Sequence, residues 1–137
     1  MIRRYIPLVE DNPDDESLTR RALSRGNWDT KITVARDGTA ALASLQTMKK
    51  LPDLVLLDLK LPKLDGTEVL RQIRDNDRTR RLCVVVFTSS GEPRDVSPCH
   101  RLGCNSYVIK PVAYENYINT VLQIRSYWLT LNASLSS

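Results

Sequence analysis

Leu54-Val55-Leu56-Leu57-Asp58-Leu59-Lys60-Leu61-Pro62 is the stretch on which the fold turns. Four consecutive apolar residues suit a strand covered on both faces, the situation of a strand inside a parallel sheet, and the run stops on a carboxylate. Val84-Val85-Val86-Phe87 repeats the pattern and stops on Thr88-Ser89. Working outward from these two, short apolar runs alternate five times with longer amphipathic ones, which argues for successive βα units around a parallel sheet. The expected strands are residues 5–9, 31–35, 54–57, 82–87 and 107–109. A chain of 137 residues with 42% hydrophobic content is the size of one domain with one core. The expected domain spans residues 1–131, with the polar residues 132–137 as a disordered tail.

The segments between the strands carry helix signals. Asn12 can cap a helix that begins with Pro13 and places Asp14, Asp15 and Glu16 at the positive end of its dipole, and Gly26 can end it. Asp65-Gly66-Thr67-Glu68 reads as a capping box before Val69, Leu70 and Ile73. In the last helix Tyr114, Tyr117, Ile118, Val121, Leu122, Trp128 and Leu129 recur at spacings of three and four, a stripe to pack on the sheet. Pro7 strains the first strand, since a central strand accepts proline only near its start or at a bulge. Pro98 strains the expected fourth helix, residues 93–102, which should be short, kinked or shifted.

Composition narrows the function. The net charge is +4 with a pI near 9.1, and Arg74, Arg78, Arg80 and Arg81 lie close together, yet no helix-turn-helix pair or aromatic interleaving accompanies them. The cluster reads as a solvated turn, and no nucleic-acid partner is expected. Cys83, Cys99 and Cys104 lack CxxC or histidine-linked spacing and read as reduced structural thiols. His100 reads as a surface residue without a role. No run is long and apolar enough to span a bilayer, and Met1-Ile2-Arg3-Arg4-Tyr5 leads into a strand rather than a signal-peptide core, so a cytoplasmic protein with no membrane partner is expected.

In an open parallel sheet, ligands sit beyond the carboxyl ends of the strands. Here those ends are Glu10-Asp11, Asp58, Thr88-Ser89 and Lys110-Pro111. Converging carboxylates repel, and a bound cation relieves the repulsion. A hard divalent ion, Mg²⁺ or Mn²⁺, takes carboxylates and leaves positions for phosphate oxygens. Phosphoryl transfer also needs fixed positive charge and hydrogen-bond donors, which Lys110 and Thr88 can supply. Asp58 is then the carboxylate placed to act as nucleophile and form an acyl phosphate.

Val9-Glu10-Asp11-Asn12, Leu56-Leu57-Asp58-Leu59-Lys60-Leu61-Pro62, Asp65-Gly66, Phe87-Thr88-Ser89-Ser90 and Tyr107-Val108-Ile109-Lys110-Pro111 together resemble the receiver domain of two-component response regulators (CheY-like). The likeness covers residues 5 to about 125. It implies a flavodoxin-like, doubly wound (βα)5 three-layer sandwich with parallel sheet order 2-1-3-4-5. It implies that Asp58 accepts a phosphoryl group from a histidine kinase, that Glu10, Asp11, Asp58 and the Lys60 backbone carbonyl hold Mg²⁺ or Mn²⁺, and that Thr88 and Lys110 contact the phosphoryl oxygens. Such a protein is a phosphoacceptor rather than an enzyme, with metal-dependent self-phosphorylation and dephosphorylation at Asp58. Tyr107 matches the switch aromatic that follows Thr88, although a tyrosine on a final strand is equally a core residue. Pro7, Pro98 and Cys104 depart from the family pattern.

Glu10-Asp11-Asn12-Pro13-Asp14-Asp15 and Ser126-Tyr127-Trp128-Leu129-Thr130 extend the likeness to the small stand-alone regulators of bacterial phytochrome kinases. That resemblance implies a phytochrome-type kinase as donor, output by contact with a downstream protein, and a homodimer through the helix 4, strand 5 and helix 5 face and the aromatic tail. Three other functions compete. An aspartyl-phosphate phosphohydrolase resembles the pattern DxD, and Lys60 stands where its general acid would be. A flavin module needs a hydroxyl- and glycine-rich loop where this chain has acids. A receiver-like docking module that is never phosphorylated has no need of Asp58, Thr88 and Lys110 together.

Overall fold

The two all-apolar runs become the heart of the sheet. In the computed structural model, which describes residues 3–132, β3 (Val55–Leu57) lies in the middle and β4 (Val84–Thr88) beside it, and every residue of both is buried. The remaining strands are β1 (Arg4–Val9), β2 (Thr30–Ala35) and β5 (Ser106–Ile109). All pair in parallel in the order β2-β1-β3-β4-β5. Between and after them run α1 (Pro13–Leu23), α2 (Gly38–Thr47), α3 (Gly66–Asp75), α4 (Pro93–Arg101) and α5 (Tyr114–Ser126), followed by a π-helical turn, Tyr127–Leu131.

The period-two alternation of a strand splits the apolar residues between two layers. Val9, Val55, Leu57, Val84 and Val86 face a core shared with α2 and α3, while Ile6, Leu8, Leu56, Val85 and Phe87 face one shared with α1 and α5. Each large aliphatic side chain buried there contributes roughly 2 kcal/mol. In α5, Tyr117, Ile118 and Val121 are buried as the stripe requires. Tyr114, expected in that stripe, is exposed, and its hydroxyl accepts a hydrogen bond from Arg21. Trp128 and Leu129 pack on the same layer from the π-helical turn.

Local signals succeed and fail for identifiable reasons. Asn12 Oδ1 accepts the Asp14 and Asp15 N–H groups at 2.9 and 3.1 Å, capping α1. That helix ends at Leu23 with Ser24 as its cap, and Gly26, with φ at 80°, serves the turn beyond it rather than the helix end. Asp65 caps α3 through the Glu68 N–H, but Glu68 turns to Arg71 and Gln72, so the box is half formed. Pro7 sits inside a central strand after all. Tyr5 and Val9 carbonyls accept N–H groups from Asp53 and Asp58, so alternate residues of β1, Pro7 among them, face β3. Lacking an N–H there, Pro7 confines the β1–β3 register to Leu8↔Leu56 and Val9↔Leu57. Below it the Asp53 carboxylate accepts the Tyr5 N–H at 2.8 Å in place of a ladder bond. Pro98 lies within α4, which at nine residues is short, as expected.

Arg78, Arg80 and Arg81 lie exposed on a turn, as expected, but two of the four arginines also bind loops. Arg74 donates to the Gly103, Arg80 and Leu82 carbonyls and to Asn105 Oδ1, and Arg78 donates to the Leu45, Gln46 and Met48 carbonyls. Both side chains staple loops, a role that charge alone in the sequence does not reveal. Cys83, Cys99 and Cys104 are free thiols, and burial pushes the first two up to about 11. The tail expectation divides. Asn132 donates its N–H to the Tyr127 carbonyl at 2.7 Å and closes the π-helical turn, while residues 133–137 lie outside the described residues. No helix among the described residues is long and apolar enough to cross a membrane.

Candidate functional site

β1, β3 and β5 deliver three charged side chains to one point at the carboxyl edge of the sheet. Glu10 follows β1, its N–H anchored on the Ala35 carbonyl at 2.9 Å. Asp58 follows β3, its N–H on the Val9 carbonyl at 3.0 Å and its Oδ1 accepting the Leu59 N–H at 2.7 Å. Lys110 follows β5, its N–H on the Thr88 carbonyl at 2.7 Å. The turn beneath this edge must be narrow: a Cβ on Gly66 would lie 2.2 Å from the Asp58 carbonyl oxygen.

The Lys110 ammonium is the hub. It donates to Glu10 Oε1 at 2.6 Å, to Asp58 Oδ2 at 2.8 Å and to Asp15 Oδ2 at 2.8 Å. Burial works against its charge, but the three carboxylates outweigh burial and hold its pKa above the ordinary lysine value. Burial likewise works to raise Asp58, and the Lys110 ammonium overcomes it, leaving this carboxyl below its usual range. Glu10, only 2% exposed, is pushed up to about 7 by burial, with Lys110 opposing and the Asp58 charge adding to the rise. The arrangement therefore favours the ionised form of Asp58.

Carboxylate oxygens of Glu10, Asp11 and Asp58 lie within 4.8 Å of one another. Asp11 is exposed at the mouth of a cleft of about 340 Å³ lined also by Leu59, Lys60, Pro62, Asp65 and Thr67. The neighbouring Leu59 and Pro62 carbonyls each accept backbone N–H groups, whereas among the described residues the Lys60 carbonyl accepts none. Three carboxylate oxygens gathered this closely are a donor set for a hard divalent cation, and the residues fit one.

Thr88 is fully buried at the end of β4. Its Oγ1 is near enough to favour the Asp58 carboxylate, yet it meets no partner at hydrogen-bonding geometry. A buried hydroxyl without a partner costs on the order of 1–3 kcal/mol, which an arriving oxygen acceptor would recover. Tyr107 is half-buried against the α2–α3 layer, and its hydroxyl donates to the Ser90 carbonyl at 2.7 Å. It is thus partly core and partly tied to the loop after β4, between the two roles the sequence left open. Of the expected site residues, Glu10, Asp11, Asp58, Lys60, Thr88 and Lys110 lie at this edge, whereas Tyr107 stands inside β5, paired with Val86. Asp15 is the member that sequence reasoning passed over. The available signal was its place in the first turn of α1, a helix that starts directly after the strand-end acids Glu10 and Asp11.

Comparison with known proteins agrees with this geometry. The model of the response regulator receiver domain matches residues 6–122. The probable methanogenesis regulatory protein FilR2 of Methanothrix harundinacea is 44% identical over 94% of this chain and 86% of its own. Response regulator Rcp1 of Synechocystis is 38% identical over 92% of this chain and 89% of its own. The crystal structure of the Mn²⁺-bound form of Rcp1 superposes with a TM-score of 0.90 at 36% identity, covering 97% of this chain and 99% of that one. That of the phosphorylated cyanobacterial phytochrome response regulator RcpA gives 0.95 at 34% identity, covering 98% and 100%.

Proposed function

The chain belongs to the response regulator receiver domain family, and from that footing we propose that it accepts a phosphoryl group on Asp58 from a sensor histidine kinase and signals by protein contact. The observation that carries this reading is the buried Asp58 carboxylate, held by Lys110 at 2.8 Å beside the carboxylates of Glu10 and Asp11. An Asp58 oxygen attacks the phosphorus of the donor phosphohistidine. The P–N bond breaks, its electron pair stays on the imidazole, and an acyl phosphate forms. Lys110 offsets charge on the transferred group, and the unpartnered Thr88 hydroxyl donates to one of its oxygens. Bound Mg²⁺ or Mn²⁺, held by Glu10, Asp11, Asp58 and the Lys60 carbonyl, would neutralise the phosphoryl charge. Water attack on phosphorus later returns phosphate and the free carboxylate.

Turning Thr88 toward the phosphoryl group alters the loop after β4, and Tyr107, tied to Ser90 in that loop, shifts with it as a change of population. The outlet is the α4, β5 and α5 face, where Ile109 of β5 is exposed, with Tyr127 and Leu131 exposed in the turn after α5. A second copy of the chain covers that surface in a homodimer, leaving a downstream protein to read the dimer. The donor we infer is a phytochrome-type kinase acting in the cytoplasm, supported by the likeness to RcpA and Rcp1. FilR2, with higher identity, is named for methanogenesis regulation, so donor and chemistry need separate tests. For the chemistry, intact mass is measured after incubation with Mg²⁺ and acetyl phosphate. One labile phosphoryl adduct is expected on the wild type and none on Asp58→Asn. A folded wild type that gains no adduct from acetyl phosphate or from a histidine kinase would point to a docking module. Phosphoryl transfer from a phytochrome kinase, compared with a kinase of another input, tests the donor.

A further inference from the structure

An ammonium has three N–H groups, and each of those on Lys110 is already taken by a different carboxylate. Glu10 and Asp58 belong to the proposed metal and phosphoryl site. Asp15 belongs to neither: it lies in the first turn of α1, 27% exposed at the side chain, and its Oδ2 reaches Lys110 from the helix side at 2.8 Å. Its backbone is fixed independently, the N–H on Asn12 Oδ1 at 3.1 Å and the carbonyl accepting from the Tyr117 hydroxyl at 3.3 Å. Tyr117 is itself buried and bonded to Thr19 at 2.9 Å, so Asp15 is held in place by both α1 and α5.

A phosphoryl group on Asp58 brings new anionic oxygens that need an N–H from Lys110, and no N–H is spare. One existing bond must be given up, and the ammonium must move outward from the position the three carboxylates define. We propose that Asp15 is a positioning residue that tethers Lys110 to α1 and competes with the phosphoryl oxygen for its ammonium, acting as a brake on occupancy of Asp58. The inference rests on the phosphoacceptor reading of Asp58.

The test is the affinity for beryllofluoride, a phosphoryl mimic, in Mg²⁺, followed by ¹⁹F NMR on the full chain. Asp15→Asn keeps the size and the backbone bonds while removing the competing charge, and a thermal melt checks its fold. It should bind the mimic roughly fivefold more tightly than wild type, the upper end for a partly exposed ion pair. Asp14→Asn removes the same charge from the exposed neighbouring position, which makes no bond to Lys110, and should leave the affinity unchanged. Asp15→Glu restores a carboxylate and should return it toward the wild-type value. Equal or weaker binding by Asp15→Asn, or the same gain in Asp14→Asn, overturns the tether. A wild type that binds no beryllofluoride overturns the phosphoacceptor reading along with it, whereas a binding wild type with an unaltered Asp15→Asn sinks the tether alone.

Discussion

Lys110, buried at the carboxyl end of the sheet, and Arg74, half-buried at the amino end of β4 and β5, are cations that different chemistry satisfies. Lys110 meets three carboxylates. Arg74 meets three backbone carbonyls and one side-chain amide oxygen. Carboxylates titrate, repel one another and can be esterified, so the balance around Lys110 depends on what occupies Asp58. Neutral carbonyls do none of these things, so the fork of Arg74 ties α3 to the starts of two strands whatever the state of the site. The same device, a cation with several acceptors, makes a reactive centre in one place and a staple in the other.

Removing each cation tests that distinction. In metal-free buffer at pH 7, Lys110→Met leaves Asp58 and Glu10 buried without a counter-charge and should cost about 3 kcal/mol in urea unfolding, the penalty of breaking a buried ion pair. A loss below about 1 kcal/mol would show that solvent or protonation satisfies the acids and that Lys110 is no hub. Arg74→Met should cost less, about 2 kcal/mol, because its acceptors are half exposed and water replaces the guanidinium. Phosphoryl adduct formation should be unchanged in it, and a lost adduct would tie the two ends of the sheet together.

The smallest effect concerns groups outside both clusters. Cys83 and Cys99 are raised by burial from 9.0 to about 11. Between those values the unfolded thiols ionise while the folded ones keep their protons, so the folded state binds more protons and stability falls as pH rises from about 9 to 11. Urea midpoints across that window should decline, and less steeply in Cys83→Ala. A slope identical in that variant would assign the decline to other groups.

The site was largely legible because its members close strands. Glu10, Asp58, Thr88 and Lys110 each stand at the end of an apolar run, and a parallel sheet brings such ends together. Asp15 and Arg74 were not legible, for one reason: their meaning lies in partners far along the chain. Asp15 meets Lys110 across 95 positions, and Arg74 meets Gly103 across 29. Read locally, Asp15 was a helix-start acid and Arg74 a surface charge. Pro7 was misjudged because strand propensity does not say which side of β1 needs its N–H groups, which only the register with β3 reveals.

Periodicity and strand-end chemistry, properties of neighbouring residues, were enough by themselves to determine an α/β chain with its acids, hydroxyl and lysine on one edge. Tertiary structure alone decided how those groups share protons and bonds: that one ammonium serves three carboxylates, that Thr88 is left without a partner, that Tyr107 rests on Ser90, and that two arginines staple loops. The physical reason is range. Backbone preference and hydrophobic period act over a few residues, whereas burial, charge and hydrogen-bond satisfaction depend on distances that exist only once the sheet has closed the chain on itself.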